Sequence, residues 1–244
     1  MKSVSVFLIG FLAGLSFAQQ EQADSVSTVV SAAPVDQKSV VKSILDQCGI
    51  TNLSVEDVAT FEDGNVVALN LSNREVSQDG ISKIPADIGK LTYLRSFDCS
   101  GNIISKIPAE IGNCVNLQKL NASSNRLDSI PEEIGSLQNL VDLDLRHNRL
   151  VYIPSTISKL VNVKYLRLWG NKLESLPEGL TAMASLEELY LKDNRLTTLP
   201  EGIINMKKLT YVDFIGNKLC NLSAKLNAWA LKKDKQYKSA QKCW

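Results

Sequence analysis

Apolar residues occupy fixed slots that recur every 23 residues through most of the chain. The clearest copy begins at Leu140 and reads L-x-x-L-x-L-x-x-N-x-L-x-x-I-P-x-x-I-x-x-L. The same interval separates six asparagines and six prolines: Asn102, Asn125, Asn148, Asn171, Asn194 and Asn217, and Pro85, Pro108, Pro131, Pro154, Pro177 and Pro200. Fixed self-similarity at this period predicts stacked repeats. Because one repeat cannot bury its own apolar face, neighbouring repeats must pack together into a solenoid.

Within a repeat the pattern predicts a short strand followed by a turn. Leu143 and Leu145 alternate with Asp144 and Arg146, and such alternation sends successive side chains to opposite faces of a sheet. We therefore expect the leucines to face the core and the polar residues to face out. Pro154 fixes its backbone angle and donates no hydrogen bond, which suits the start of the outer turn. The side chain of the asparagine that recurs every 23 residues is expected to hydrogen-bond backbone groups, because a buried amide needs such partners.

This pattern resembles the leucine-rich repeat family, in its 23-residue I/L-P-x-x-I subtype, over roughly residues 66–219. The resemblance implies an α/β solenoid, or horseshoe, with about seven parallel strands on the concave face and short helical or 3₁₀ turns on the convex face. The subtype is similar to the repeats of Ras-scaffold-like intracellular proteins, which bind other proteins through the concave face.

Helical caps are expected at both ends, because terminal repeats would otherwise expose an apolar face. In the N-terminal cap, residues 39–65, apolar residues at helical spacing predict a helix from Ser39 to Cys48. A capping box beginning at Ser54 predicts a second short helix reaching Phe61. In the first repeat the asparagine slot falls on Arg74, and extra residues there predict a loop. Residues 220–244 have helical spacing and are expected to form the C-terminal cap.

The first residues have the pattern of a secretory signal. Residues 1–18 contain an early lysine, a short apolar stretch and a final S-F-A before polar glutamines, which predicts a cleaved signal peptide. A non-cleaved anchor is the alternative, although the apolar stretch is short for a bilayer span. Residues 19–38 are small and polar and are interpreted as a flexible leader. We therefore expect a secreted, extracellular protein without a membrane span.

Composition is that of an ordinary soluble domain, with 44% hydrophobic and 22% charged residues. The charge is uneven, because residues 221–244 hold six lysines and one aspartate. This tail predicts a weak contact with a polyanion, although a charge-rich cap helix is more often a solvated face.

Five cysteines in an exported chain permit two disulfides and one free thiol. Cys220 and Cys243 bracket the C-terminal cap, so they are predicted to form a disulfide. Cys99 and Cys114 replace leucine-class residues and are expected to be buried thiols. Cys48 could be free, buried or joined to another chain.

The residue inventory argues against catalysis. The only histidine is His147, near Asp144, and such a pair is usually a solvated surface feature. No nucleophile elbow, zinc-ligand spacing, phosphate-binding loop or calcium loop occurs in the sequence. We therefore predict a non-enzyme with no cofactor, no metal and no nucleic-acid partner.

The concave slots change character along the chain. The first three repeats place small polar residues there, including Ser100 and Ser123, whereas the later repeats place large ones. The predicted partner-binding residues are Arg146, Tyr165, Arg167, Trp169, Tyr190, Lys192 and Tyr211. Tyrosine, tryptophan and arginine dominate binding hot spots. The alternative is that these side chains merely shield the sheet.

Four N-x-S sequons occur at Asn52, Asn70, Asn121 and Asn221, and chance is an equal explanation for them. Together these features predict a secreted module that binds a protein partner through the concave face of the C-terminal repeats. The alternative is a structural or assembly component of a cell wall, coat or extracellular matrix.

Overall fold

The computed structural model of this protein describes residues 35–73, 80–235 and 237–243. The predicted signal peptide, the leader up to residue 34, and the loop beginning at Arg74 lie outside the described residues. Among the described residues, no helix combines the length and the apolar character that a membrane crossing requires.

In the described part of the chain, eight strands form one sheet whose spatial order follows the chain order. The seven strands β2 to β8 are parallel, and each step shifts the register by one repeat, so that Leu120 lies beside Leu143 and Leu143 beside Leu166. This confirms the predicted solenoid and the phase of its strands. The strands are β1 (Ala59–Glu62), β2 (Asn65–Asn70), β3 (Ser96–Asp98), β4 (Lys119–Asn121), β5 (Asp142–Asp144), β6 (Tyr165–Arg167), β7 (Glu188–Tyr190) and β8 (Tyr211–Asp213).

Strand β1 replaces the second helix that the capping box predicted, so that prediction was wrong. The reciprocal bonds of the box do form, since the Ser54 backbone N–H donates to Asp57 at 2.8 Å and the Asp57 N–H donates to Ser54 at 3.3 Å. They close only one turn, after which β1 runs antiparallel to β2. Asp63 and Gly64 both have positive φ, 47° and 77°. This is the two-residue hairpin turn that Asp-Gly favours, and it commits the preceding residues to a strand.

Each convex connection is a single 3₁₀ turn that begins directly after a proline. In the fifth strand's repeat the Ile157 N–H donates to the Pro154 carbonyl at 3.1 Å. Successive turns pack closely: a Cβ at Gly135 would lie 2.7 Å from the carbonyl oxygen of Thr156, so only glycine fits there. The six turns are Ala86–Lys90, Ala109–Asn113, Glu132–Ser136, Ser155–Lys159, Glu178–Ala182 and Glu201–Asn205.

A continuous apolar core lies between the sheet and the convex turns. Leu143 and Leu145 are completely buried, as the alternation predicted. Cys99 and Cys114 are also completely buried thiols, which confirms their assignment to leucine-class slots.

The six repeated asparagines form a ladder of buried amides, and Asn148 shows the pattern. Its Nδ2 donates to the carbonyls of Leu145, in its own repeat, and Ala122, in the preceding repeat, both at 3.0 Å. Its Oδ1 accepts from the Leu127 N–H at 3.0 Å. Each ladder asparagine therefore ties two neighbouring repeats together through backbone groups that water cannot reach.

Both ends carry a helix. Helix α1 (Gln37–Gln47) is capped by the Asp36 side chain and includes two residues that composition had placed in the leader. Helix α2 (Ala224–Lys233) is capped by Ser223, whose hydroxyl accepts from the Leu226 N–H. Cys220 and Cys243 form the disulfide that their positions predicted.

Candidate functional site

The register of β6 to β8 brings the large concave side chains together. Tyr165 lies beside Glu188, and Glu188 beside Tyr211. In the next column Arg167 lies beside Tyr190. We define the aromatic cluster by its members, which come from three consecutive repeats: Tyr165, Arg167, Trp169, Tyr190 and Tyr211.

Arg167 is the centre of the aromatic cluster. Its guanidinium carbon lies 5.6 Å from the ring centroid of Tyr165 and 5.8 Å from that of Tyr190. One guanidinium nitrogen also donates to the carboxylate of Asp142 on the preceding strand. The cation is therefore held in one orientation by two rings and a carboxylate, each of which attracts it.

Tyr190 and Tyr211 pair across neighbouring strands, with ring centroids 5.0 Å apart. The Tyr190 hydroxyl donates to the Glu188 carboxylate at 2.6 Å, and this bond raises the pKa of Tyr190 to about 12. Tyr190 thus stays a neutral hydrogen-bond donor across the physiological range. Tyr211 is 46% exposed, whereas the rings of Tyr165, Trp169 and Tyr190 are half-buried, so Tyr211 is the most accessible ring of the aromatic cluster.

Trp169 lies half-buried between two side chains from the preceding repeat. The His147 ring meets it edge-on at 4.0 Å between centroids, and the Arg146 guanidinium lies 5.7 Å from it. His147 is therefore packed against an indole, whereas Asp144 pairs with Arg146 at 3.3 Å. The sequence had placed His147 and Asp144 together as a surface pair, and the structure gives each of them a different partner.

Lys192 is exposed and forms no ion pair or ring contact with any described residue. The other predicted partner-binding residues, Arg146 included, touch at least one further member of the set or its neighbours. The contacts form two groups on the concave face, one of Tyr165, Arg167, Tyr190 and Tyr211 and one of Arg146 and Trp169, and Lys192 belongs to neither.

A polar hollow of about 300 Å³ lies next to the aromatic cluster. Basic and acidic side chains both line it: Lys119, Asn121, Asp142, Asp144, Arg146 and Arg167. Asp144 is only 7% exposed, and burial raises the pKa of its carboxyl. Arg146 and Arg167 partly offset this rise in the Asp144 pKa, because their positive charges favour the ionised form.

The N-terminal half of the concave face satisfies its own polar groups. Asp98 accepts from the Ser100 N–H at 2.9 Å and from the Asn121 side chain at 2.9 Å. Ser123 is only 3% exposed. Its assignment to an open surface was therefore wrong.

The four sequon asparagines differ in access. Asn52, Asn70 and Asn221 are exposed. Asn121 is half-buried. Its Nδ2, the atom to which a glycan would attach, donates to the Asp98 carboxylate.

Sequence reasoning missed a second asparagine ladder at the opposite, amino-terminal ends of the strands. Asn116, Asn139 and Asn162 each donate to a carbonyl of the preceding repeat at 2.8 to 2.9 Å. They share the 23-residue interval of the first ladder, so the signal was present in the sequence. Within the part of the chain that the structure describes, no group of three or more histidine, cysteine or acidic side chains could hold a metal ion.

Family comparisons agree with this geometry. Residues 109–192 match a family described as a leucine-rich repeat region, and residues 93–114 and 185–206 match single leucine-rich repeats. The chain contains leucine-rich repeats and folds as their solenoid. No curated protein matches it.

Solved structures of leucine-rich repeat proteins resemble the chain. A leucine-rich repeat protein of Leptospira interrogans is 26% identical with a TM-score of 0.50, over 77% of this chain and 59% of that one. A plant ice-binding protein is 28% identical with a TM-score of 0.64, over 77% and 64%. The plant peptide hormone receptor RGFR1, in complex with RGF2, is 30% identical with a TM-score of 0.54, over 59% and 23%. The chain spans less than two thirds of the length of each.

Proposed function

We propose that this protein is a secreted module that binds a protein partner with the concave face of its C-terminal repeats. The aromatic cluster is the observation that carries the proposal. The rings of Tyr165 and Tyr190 flank the Arg167 cation, Tyr211 packs on Tyr190, and Trp169 on the same face packs on Arg146. Rigid aromatic side chains contribute contact area while losing little conformational entropy on binding. The similarity to a plant peptide hormone receptor solved in complex with RGF2 supports a polypeptide ligand for this fold.

The arrangement of charges favours a partner with mixed polarity. Arg167 already has a carboxylate partner in Asp142, so a ligand gains by stacking on the Tyr165–Arg167–Tyr190 layer rather than by supplying a new counter-ion. Next to this layer, the polar hollow offers both acidic and basic groups within a few strands. A polypeptide with an apolar anchor beside polar groups matches that surface, since interface cores are apolar and their rims are polar.

Shielding of the sheet is a weaker account of the same residues. A ring that only covers backbone has no need of the ordered partners that Arg167 and Trp169 possess. The 46% exposure of Tyr211 is also a cost that a covering role does not explain.

The proposed extracellular location rests on the signal-like residues 1–18 and on the Cys220–Cys243 disulfide, since structural disulfides persist mainly in oxidising compartments. We propose glycans at the exposed sequons Asn52, Asn70 and Asn221, and none at Asn121. The tail lysines remain a proposed weak polyanion contact. No catalytic role is proposed, because leucine-rich repeat proteins generally act by binding.

A structural or assembly role finds less support. It supposed that Cys48 and the basic tail drive assembly, and Cys48 is half-buried with its Sγ 3.7 Å from the Lys83 carbonyl oxygen. Burial also raises the pKa of this thiol to about 11, which suppresses the reactive thiolate.

Affinity capture tests the proposal. The immobilised protein and a Trp169→Ala/Tyr190→Ala variant are exposed in parallel to the extracellular fluid of the source culture. A protein retained by the first and lost by the second supports concave binding. Equal retention by both, or capture only through disulfide-linked multimers seen without reductant, would favour the structural alternative.

A further inference from the structure

A line of five basic residues runs along one edge of the solenoid. Each directly follows a ladder asparagine, so the five recur at the 23-residue interval at the carboxyl ends of five successive strands. All five are exposed. We call them the edge strip: Arg126, Arg149, Lys172, Arg195 and Lys218.

Backbone hydrogen bonds fix the spacing of the edge strip. The Arg149 N–H donates to the Leu127 carbonyl at 2.8 Å, and the Lys172 N–H donates to the Leu150 carbonyl at 2.9 Å. The same bond recurs at the other three positions, at 2.9 Å. The spacing of about 4.8 Å between neighbouring strands therefore also holds for the backbone of the edge strip, and it sets the separation between successive members.

The charge of the edge strip is largely uncompensated. None of its five side chains forms an ion pair or a hydrogen bond with another described residue. Three acidic residues lie two positions away in sequence: Asp128, Glu174 and Asp193. Asp193 is paired with Lys242 at 3.4 Å. The strip therefore presents a net positive line, which raises the local concentration of anions.

The strip ends in a hollow of about 410 Å³ beside the disulfide. Its lining includes Lys218, the last member of the strip, together with Thr197, Asn221 and Lys242. Lys242 is paired with Asp193, and Asn221 is a proposed glycan site, so Thr197 is the neutral hydrogen-bonding side chain that this end of the strip offers to a ligand.

We infer that the edge strip binds a linear acidic polysaccharide. A polyuronate carries one carboxylate per sugar along an extended chain, so its line of negative charge can follow the line of cations, and its hydroxyls can bond the Thr197 side chain in the terminal hollow. An extended acidic peptide supplies carboxylates without such hydroxyls. Single-stranded nucleic acid usually binds where aromatic side chains stack on its bases, and the strip itself has no ring. A membrane surface would need a plane of charge rather than a line.

Binding of alginate, a linear polyuronate, tests the inference with the full protein and an Arg149→Gln/Lys172→Gln/Arg195→Gln variant. We expect alginate affinity to fall steeply from low to physiological salt, since exposed charges are screened. The triple variant should bind at least about tenfold more weakly, because three exposed ion pairs are lost together. Neutral dextran should not bind either protein.

A charge-matched variant, Lys225→Gln/Lys232→Gln/Lys235→Gln, removes three tail lysines and should keep the alginate affinity of the parent. The inference is overturned if the tail variant carries the loss, if both variants lose affinity equally, or if binding does not depend on salt. Tighter binding of poly-L-glutamate, of single-stranded DNA or of anionic vesicles than of alginate would also reject the polysaccharide. Both variants keep the aromatic cluster, so their binding of the protein partner can be measured independently of their binding of alginate.

Discussion

Gln241 occupies the position that the next ladder asparagine after Asn217 would fill. The Asn217 Oδ1 accepts from the Leu196 N–H at 3.0 Å, and one repeat later the Gln241 Oε1 accepts from the Leu219 N–H at 3.1 Å. The Gln241 Nε2 likewise donates to the Phe214 carbonyl, at 3.3 Å. The C-terminal cap thus closes the hydrogen-bonded ladder with a glutamine from outside the repeats.

Replacing Gln241 by alanine is expected to lower the free energy of unfolding by about 1 to 3 kcal/mol. The substitution leaves the buried Leu219 N–H without its acceptor, whereas the Phe214 carbonyl keeps the Asn217 amide as a donor. One unsatisfied buried group costs about that much. Urea unfolding monitored by circular dichroism measures the change. Gln138→Ala, at an exposed side chain, is the matched control and should differ from the parent by less than about 0.5 kcal/mol. Equal midpoints for the two variants would contradict the capping role.

Removing the cap disulfide should loosen the C-terminal end selectively. Cys220 and Cys243 are 23 residues apart, and closing a loop of that size is worth about 3 kcal/mol in the chain-entropy treatment. In a Cys220→Ser/Cys243→Ser variant we expect faster hydrogen exchange after Leu219, with the central repeats retaining their protection. Dithiothreitol should reproduce the effect in the parent and leave the variant unchanged. Uniform loss of protection throughout the solenoid would show that the cap controls global stability.

The repeats could be predicted because every repeat faces the same physical problem. Each strand, turn and layer needs the same two leucines, the same asparagine amide and the same proline, so these residues recur at one interval. That interval shows which strand residues face the core and which lie on the concave face. That is why Leu145 is buried and Tyr165 lies on the concave face, as expected.

The ends and the contacts within the site could not be predicted in this way, because they break the period or depend on three dimensions. Gln241 is not in phase with Asn217, and β1 is set by the Asp63–Gly64 turn rather than by the capping box before it. The stacking of Arg167 between two rings also depends on rotamers, which spacing alone does not determine.

A charge inside the stacked leucines should abolish folding. Leu145 is completely buried, and an unpaired carboxylate there has no partner to offset its desolvation. We expect Leu145→Asp to be unfolded or not secreted. Val151→Asp, in the same repeat but 44% exposed, makes the same chemical change and should express and melt like the parent. A cooperative melting transition for Leu145→Asp close to that of Val151→Asp would contradict the assigned strand phase.

The free thiols should be unreactive in the native protein. Burial raises the pKa of Cys48 to about 11 and that of Cys114 to about 12, and it also raises the pKa of Cys99. Since the thiolate is the reactive form, iodoacetamide at neutral pH should label none of the three within the time that labels all of them in denaturant. Labelling of Cys48 should accelerate as the pH approaches 11. Rapid native labelling of Cys48, or a covalent dimer abolished by Cys48→Ser, would revive the assembly hypothesis.

The aromatic cluster should carry most of the affinity for the protein partner. Truncating a central aromatic anchor typically costs 2 kcal/mol or more, which is about a thirtyfold loss of affinity. We expect Trp169→Ala and Tyr190→Ala each to weaken binding to that extent in titration calorimetry, with little change in melting temperature because both rings lie on the concave face. Ser96→Ala and Ser100→Ala, on the N-terminal half of that face, are the controls and should shift the binding free energy by less than about 0.5 kcal/mol. Ser123 does not serve as one, since it is buried. If the serine variants carry the loss and the aromatic variants bind normally, the partner lies on the other half of the solenoid.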